Sequence, residues 1–250
     1  MDRYQTRAFS RFTMGAALFL CRTKPMQTLT NGQIAGIFDA AAERFDARSN
    51  PYTMRRRAQA LAARVHGRSL ELGGGTAAVT AALPDKTRAT HSDIAFRMCC
   101  IAREKVGCPS ICFDAEEMPI ADESIDTAVS AEMIYYLRRP ERFIAEAHRV
   151  LRPGGRLVLS TTNPLMTIVE RGRTLLRRLG CSRMFFDDGS PRFPPASQIT
   201  SMLIRARFVI ESVRGIVPIP FGFCDSMNRV LERTPVHRLG LFIVIVARKR

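Results

Sequence analysis

The residues best suited to chemistry lie in one short stretch and one acid beyond it. Ser69-Leu70-Glu71-Leu72-Gly73-Gly74-Gly75-Thr76-Ala77-Ala78 carries an apolar run into a glycine turn, and Asp93 stands twenty residues past Gly73. Glycine at a strand tip lets the backbone press against a ligand where a Cβ would collide. An acid at the tip of the next strand can accept from both hydroxyls of a ribose. Together they predict a nucleoside-containing cofactor. Gly73, Gly75 and Ala78 also satisfy Gly-x-Gly-x-x-Ala, the fingerprint of dinucleotide sites, so a nicotinamide-dependent oxidoreductase stays open as an alternative. Glu71 weighs against it, because a carboxylate at the end of the first strand repels a pyrophosphate and tolerates a cationic amino-acid group.

Other reactive residue types form no pattern. Cysteines stand at 21, 99, 100, 108, 112, 181 and 224. An odd number without Cys-x-x-Cys predicts neither a disulfide framework nor a zinc knuckle, and so a reducing compartment, most simply the cytoplasm. His66, His91, His148 and His237 lack ligand spacing. They are read as structural, with His237 within reach of the pocket, and no metal site is expected.

The surrounding sequence alternates between strand and helix signals. A helical pattern over 33–65 is broken at Asn50-Pro51, and strand one covers 70–72. A helix over 76–83 is stopped by Pro84. Strand two over 88–92 is polar for a central parallel strand. A helix over 94–106 leads to strand three at 110–113 and strand four at 125–130. Pro140 opens a helix with Phe143, Ile144, Ala147, Val150 and Leu151 inward, ended by Pro153-Gly154-Gly155. Strand five covers 156–160, and strands over 208–213 and 241–246 close the sheet as an antiparallel pair. This order predicts an α/β fold with a doubly wound, mostly parallel seven-stranded sheet. The expected division is a helical lid over 1–66, a cofactor-binding core over 67–162, a substrate-side insertion over 163–206, and closing strands over 207–250.

Several segments together resemble the class I S-adenosylmethionine-dependent methyltransferases, the small-molecule group typified by ubiquinone and menaquinone C-methylases and natural-product enzymes. The resemblance covers 67–162 closely and 34–66 and 196–250 more loosely. It rests on 70–77, on Ser92-Asp93-Ile94, on Phe113-Asp114-Ala115-Glu116-Glu117-Met118-Pro119-Ile120, on 124–130, and on Glu146-Ala147-His148-Arg149-Val150-Leu151-Arg152-Pro153-Gly154-Gly155. It implies S-adenosylmethionine as cofactor. Carried over by position, Gly73 and Gly75 border the methionine portion, and Glu71 supports its cationic end, directly or through water. Asp93, followed by Ile94, takes the ribose, and Asp114 accepts from the adenine amino group, with Ala115 and Met118 beside the ring. Glu132 and Tyr135, after strand four, are the candidate catalytic residues on the acceptor side, with Met133 beside them. The chain departs from the family pattern at Ala77, often glycine, and in the N-terminal helix, where Phe38 or Phe45 replaces a tyrosine.

The implied reaction is methyl transfer to a small, hydrophobic or lipid-like acceptor, with Phe185, Phe186, Phe193 and a helix over 165–179 forming the pocket or lid. A net charge of +15 supplies an alternative, an RNA-modifying methyltransferase. Against it, Ser130-Ala131-Glu132-Met133-Ile134-Tyr135-Tyr136 lacks the Pro-Pro-aromatic clamp of amino-methylating enzymes. Arginines near 165–179 raise a third possibility, peripheral contact with an anionic membrane. No apolar run reaches spanning length. After Asp2 no acid occurs until Asp39, while Arg3, Arg7 and Arg11 recur at helical spacing. That pattern fits a transit peptide and organellar location, an amphipathic lid helix, or an ordered chain beginning at Met14 or Met26.

Overall fold

Strand order reverses at the centre of the sheet, and that reversal fixes where a ligand can bind. The computed structural model describes residues 29–165 and 193–250. Its strands are β1 (Ser69–Leu72), β2 (Ala89–Asp93), β3 (Ser110–Cys112), β4 (Ile125–Ala131), β5 (Leu151–Thr162), β6 (Phe208–Ile216) and β7 (Phe242–Lys249). They form one sheet in the order β3-β2-β1-β4-β5-β7-β6. β1 pairs in parallel with both β2 and β4, so a crevice opens beyond the carboxyl ends of β1 and β4, where α/β sheets bind ligands. β7 runs antiparallel to both neighbours, giving the mostly parallel sheet with an antiparallel end that the sequence predicts.

Helices cover both faces. They are α1 (Asn31–Ala41), α2 (Phe45–Arg48), α3 (Pro51–Ala62), α4 (Ala78–Ala81), α5 (Phe96–Val106), α6 (Pro140–Val150), α7 (Ala196–Arg205) and α8 (Asp225–Leu231). Alternate residues of the strands face opposite ways. Leu70, Leu72, Ala128, Leu157 and Leu159 pack under Phe143, Ile144 and Ala147 of α6 and Ile199 and Leu203 of α7. Val129, Val158, Val244 and Val246 pack under Ala58, Leu61 and Ala62 of α3. Burying an aliphatic side chain of this size contributes roughly 1.5–3 kcal/mol.

Several elements differ in extent from the sequence reading, while β2 forms where the sequence predicts it. The helical pattern over 33–65 is α1, a 3-10 turn (Ala42–Arg44), α2 and α3. Thr30 and Gln33 form a capping box at α1, and Asn50 Oδ1 accepts from the amides of Tyr52 and Thr53 at 3.0 and 3.2 Å to start α3. The helix expected over 76–83 shrinks to α4, because Ala77 adopts left-handed geometry at φ 60° and delays its start. An alanine there costs about 1 kcal/mol, which gives a physical reason for a glycine. α6 ends at Val150 rather than at the Pro-Gly-Gly. Residues 153–155 instead join the lengthened β5 at an irregularity opposite Ile125 and Thr127. β2 is polar and still buried, since Ser92 Oγ donates to the Glu71 carbonyl at 2.8 Å and His91 Nδ1 lies 2.7 Å from Ser110 Oγ.

α6 also anchors the loop after β3. Arg149 donates to the carbonyls of Met118 and Ile120 at 2.9 and 2.7 Å and to Asp122 at 2.6 Å, while binding Glu146 at 2.7 Å. Glu146 in turn accepts from the Met118 amide at 2.8 Å. These bonds, first to Glu146 and then to Asp122, raise the guanidinium above its ordinary value. Glu116 is almost fully buried and accepts from the Arg138 and Arg139 amides, each at 2.8 Å, and from Arg139 Nε at 2.9 Å. The Glu146-to-Gly155 signature thus includes a fastener for the 113–120 loop. Arg149→Met is expected to lower unfolding stability by about 2 kcal/mol, read from the urea midpoint. A midpoint unchanged from wild type would contradict the fastening role.

Candidate active site

Three consecutive glycines close β1, and a different neighbour presses on each. Gly73 has φ +60°, and a Cβ there would come 2.3 Å from Met133 Sδ. A Cβ on Gly74 would come 2.6–2.7 Å from the ring of His91 and the carboxyl carbon of Glu71. Gly75 has φ +55°, and its missing Cβ would meet the Phe45 ring at 3.4 Å. Side chains are thus excluded by backbone conformation at two positions and by buried neighbours at the third. The bare turn sits beside the Asp93 carboxylate at the tip of β2.

Asp93 is 7% exposed. Its Oδ2 accepts from the Gly75 amide at 2.8 Å and its Oδ1 from the Ala95 amide at 2.9 Å. Burial raises its carboxyl above the usual range, opposed by those amides. Each oxygen keeps a second lone pair, so the group is held rigid with acceptor capacity left. Ile94 packs against the buried pair Leu29 and Ile34, as do Phe38 and Tyr136.

Asp114 lies across from it, half-buried. Its Oδ1 accepts from the Glu116 amide at 2.8 Å and its Oδ2 from the Asn31 side chain. It therefore caps its own turn and ties the start of α1 to that turn, a contact the sequence reading missed. Ala115 and Met118 are buried against the main core.

Glu71 is bonded within the protein. Its carboxylate points under the turn, where it accepts from the Val79 amide at 3.2 Å and from the amide and hydroxyl of Thr80 at 2.9 and 2.5 Å. It is 2% exposed, and burial raises its carboxyl. It holds α4 to β1 from below. A carboxylate at a helix start satisfies amides that have no partner within the helix, and Thr80 three residues past Ala77 was the available sequence signal.

On the acceptor side, Glu132 and Tyr135 come together. Glu132 has φ 58°. Its carboxylate accepts from Ser160 Oγ at 2.8 Å, Thr162 Oγ1 at 2.5 Å and Tyr135 Oη at 3.1 Å. Ser160 and Thr162 at the end of β5 were not singled out in the sequence, because nothing local marks them as partners of β4. Aromatic rings line this side in sequence: Phe45 to Phe38 at 6.4 Å, Phe38 to Tyr136 at 5.3 Å, Tyr136 to Tyr135 at 4.6 Å, and Tyr135 to Phe193 at 5.1 Å. Phe185, Phe186 and 166–179 of the expected lid helix lie outside the described residues.

The histidines hold structural places. His148 stacks edge-on against Phe208 at 5.1 Å, His66 Nδ1 lies 3.0 Å from Thr127 Oγ1, and His237 Nδ1 accepts from the Gly215 amide at 3.2 Å. Among the described residues no group of His, Cys, Asp and Glu is arranged to hold a metal ion, and no helix is long and apolar enough to cross a membrane.

Comparison with known proteins places this geometry in context. A family model described as a methyltransferase domain matches residues 70–159. The ubiquinone/menaquinone biosynthesis C-methyltransferase of Methylobacterium nodulans is 31% identical over 186 residues, covering 69% of this chain and 68% of that protein. Phosphatidylethanolamine N-methyltransferase of Cereibacter sphaeroides is 34% identical over 100 residues, 37% of this chain and 49% of the relative. The biotin biosynthesis bifunctional protein of Cellvibrio japonicus is 37% identical over 109 residues, which is 42% of this chain and 22% of that protein. The matches to these last two thus span less than half of each relative. Among solved structures, a methyltransferase of Thermotoga maritima aligns with TM-score 0.62 at 21% identity, over 83% of this chain and 94% of its own. A putative methyltransferase of Haloferax volcanii, solved with its Trm112 activator, aligns with TM-score 0.63 at 17% identity, over 84% and 96%. At these identities the solved structures show a shared fold.

His91 supplies a test of the packing under the turn. It is fully buried, and burial pushes its imidazole down to about 4 from 6.5. The folded protein therefore holds it neutral while the unfolded chain protonates it between those values. Stability contributed by the neutral ring is full above pH 6.5 and falls by about 3 kcal/mol as pH drops to about 4. Urea unfolding of wild type and His91→Asn should show a stability difference that shrinks across that window and then levels. A pH-independent difference would contradict this.

Proposed function

The chain belongs to the class I S-adenosylmethionine-dependent methyltransferases, with S-adenosylmethionine as its cofactor, and on that premise we propose that it methylates a small, apolar or lipid-like acceptor. The observation that carries the acceptor class is the run of rings from Phe45 past Tyr135 to Phe193 beside the glycine turn. Such a wall offers large apolar area and few polar partners, which suits an apolar ligand. Relatives named for phosphatidylethanolamine and for ubiquinone and menaquinone point the same way.

The residues fit the cofactor on structural grounds. A turn with two left-handed glycines leaves its backbone bare, and the rigid Asp93 carboxylate stands beside it. In this reading Gly73 and Gly75 border the methionine portion, and Asp93 accepts from the ribose hydroxyls with Ile94 alongside. Asp114 accepts from the adenine amino group, with Ala115 and Met118 against the ring. Glu71 acts from below, by fixing the turn. The cofactor supplies a methyl group already activated on a sulfonium. The remaining task for the chain is to align a nucleophile and exclude water, and such alignment can contribute about 7–11 kcal/mol. Tyr135 Oη is directed at Glu132, whose carboxylate is fixed by two β5 hydroxyls. We assign this pair the work of orienting the acceptor.

An RNA acceptor is the second reading, favoured by the net charge of +15. Incubating extracts with methyl-labelled cofactor separates the two, with label expected in the organic-extractable fraction. Label confined to RNA would reverse the ranking. For the cofactor site, calorimetry with S-adenosylhomocysteine should show Asp93→Ala weakened by at least about a hundredfold and Gly73→Arg without measurable binding. Unchanged binding in both variants would remove the assignment.

A further inference from the structure

The segment between β6 and β7 exposes an apolar surface that no described part of the fold covers. Phe223 is 88% exposed, Val230 63%, Met227 47% and Phe221 40%. The Phe221 and Phe223 rings stack on one another at 5.5 Å, nearly parallel at 13°. Phe223 leads directly into α8, and positions 223, 227 and 230 recur at the spacing of one helical face. The ridge is therefore continuous, unlike the scattered single residues common on protein surfaces.

The segment is built to hold this ridge outward. Asn228 is fully buried and clamps both polar groups of Ile219, accepting from its amide at 2.9 Å and donating to its carbonyl at 2.7 Å. Asn228 also donates to Tyr52 Oη at 2.8 Å, and Tyr52 donates to Asp225 at 3.0 Å. The polar side of α8 thus faces α3, and its apolar side is left to the surroundings. Charge is arranged to match. The segment's two acids are neutralised internally: Asp225 by Arg56 and Arg229 at 3.1 and 3.0 Å, and Glu232 by Arg56 at 2.9 Å. Arg233 and Arg238 are exposed and have no acidic partner among the described residues. Arg233 sits one turn past Val230, donating its amide to the Val230 carbonyl at 3.0 Å. Arg238 lies beside the exposed Leu239.

We propose that this ridge docks on the surface of an anionic lipid bilayer, with Phe221, Phe223, Met227 and Val230 at the acyl boundary and Arg233 and Arg238 at the headgroups. Aromatic and aliphatic side chains flanked by arginine have the composition of an interfacial anchor. The ridge lies at the site's end of the sheet, because β7 begins where β5 ends, with Phe242 opposite Thr162. Asn163, just after β5, donates to the carbonyls of Arg238 and Gly240 at 3.0 and 2.9 Å. Docking would therefore hold the crevice close to the lipid surface. It does not depend on which acceptor is methylated.

Vesicle co-sedimentation of the full chain tests this, using phosphatidylcholine alone and phosphatidylcholine with phosphatidylglycerol. Wild type is expected to bind the mixed vesicles and to be released by salt. F221S/F223S should bind at least about tenfold more weakly, and R233Q/R238Q about fivefold more weakly per arginine removed. Both variants should keep wild-type affinity for S-adenosylhomocysteine, which separates loss of docking from misfolding and from failure of the cofactor site. Equal vesicle binding by wild type and F221S/F223S would overturn the proposal. So would equal binding to the two vesicle types, or a wild-type dimer in sedimentation equilibrium that F221S/F223S abolishes.

Discussion

The structure depends on a turn that has no room for side chains. Met133 closes over Gly73, His91 and Glu71 fill the space under Gly74, and Phe45 lies beside Gly75. The contacts come from the segment just after β4 and from β2, β1 and α2, which together fix the turn. Two buried acids brace it from opposite sides: Asp93 takes the Gly75 amide, and Glu71 takes the first amides of α4. Burying carboxylates costs free energy unless amides or charges meet them, and here amides and a hydroxyl do so. The same bonds that satisfy the acids set the backbone that the cofactor is proposed to approach.

Around that turn the molecule divides its polar groups between scaffold and reaction. Glu116, Glu146 and Arg149 fasten the loop carrying Asp114, Ala115 and Met118 to α6. Glu132 is fixed by hydroxyls of β5, and Tyr135 leans on it. A group whose hydrogen bonds are already met serves better as a fixed surface than as a proton carrier. That agrees with a reaction in which the leaving group arrives activated and alignment is the main requirement.

Much of this was legible in the sequence where local chemistry and tertiary role coincide. The alternation of apolar strands with amphipathic helices predicts the mostly parallel sheet and its antiparallel last pair, which the strand order bears out. Legibility fails where a residue's partner is distant. Arg-Ala-Thr-His-Ser over 88–92 reads as a poor central strand until Ser92 meets the Glu71 carbonyl and His91 meets Ser110. Glu71 reads as a ligand contact because its position fits one, and only Thr80 across the turn reveals its work on α4. Asn31 gives no local sign that it reaches Asp114, eighty-three residues away. Pro153-Gly154-Gly155 reads as a helix stop, although α6 has already ended at Val150 and β5 begins at Leu151.

The most direct measurement is a crystal structure with S-adenosylhomocysteine bound. The account predicts its sulfur beside Gly73 and Gly75, its ribose hydroxyls on the Asp93 carboxylate, and its adenine along Ala115 and Met118 with the amino group at Asp114. Ligand density that leaves Asp93 and the glycine turn untouched would contradict it.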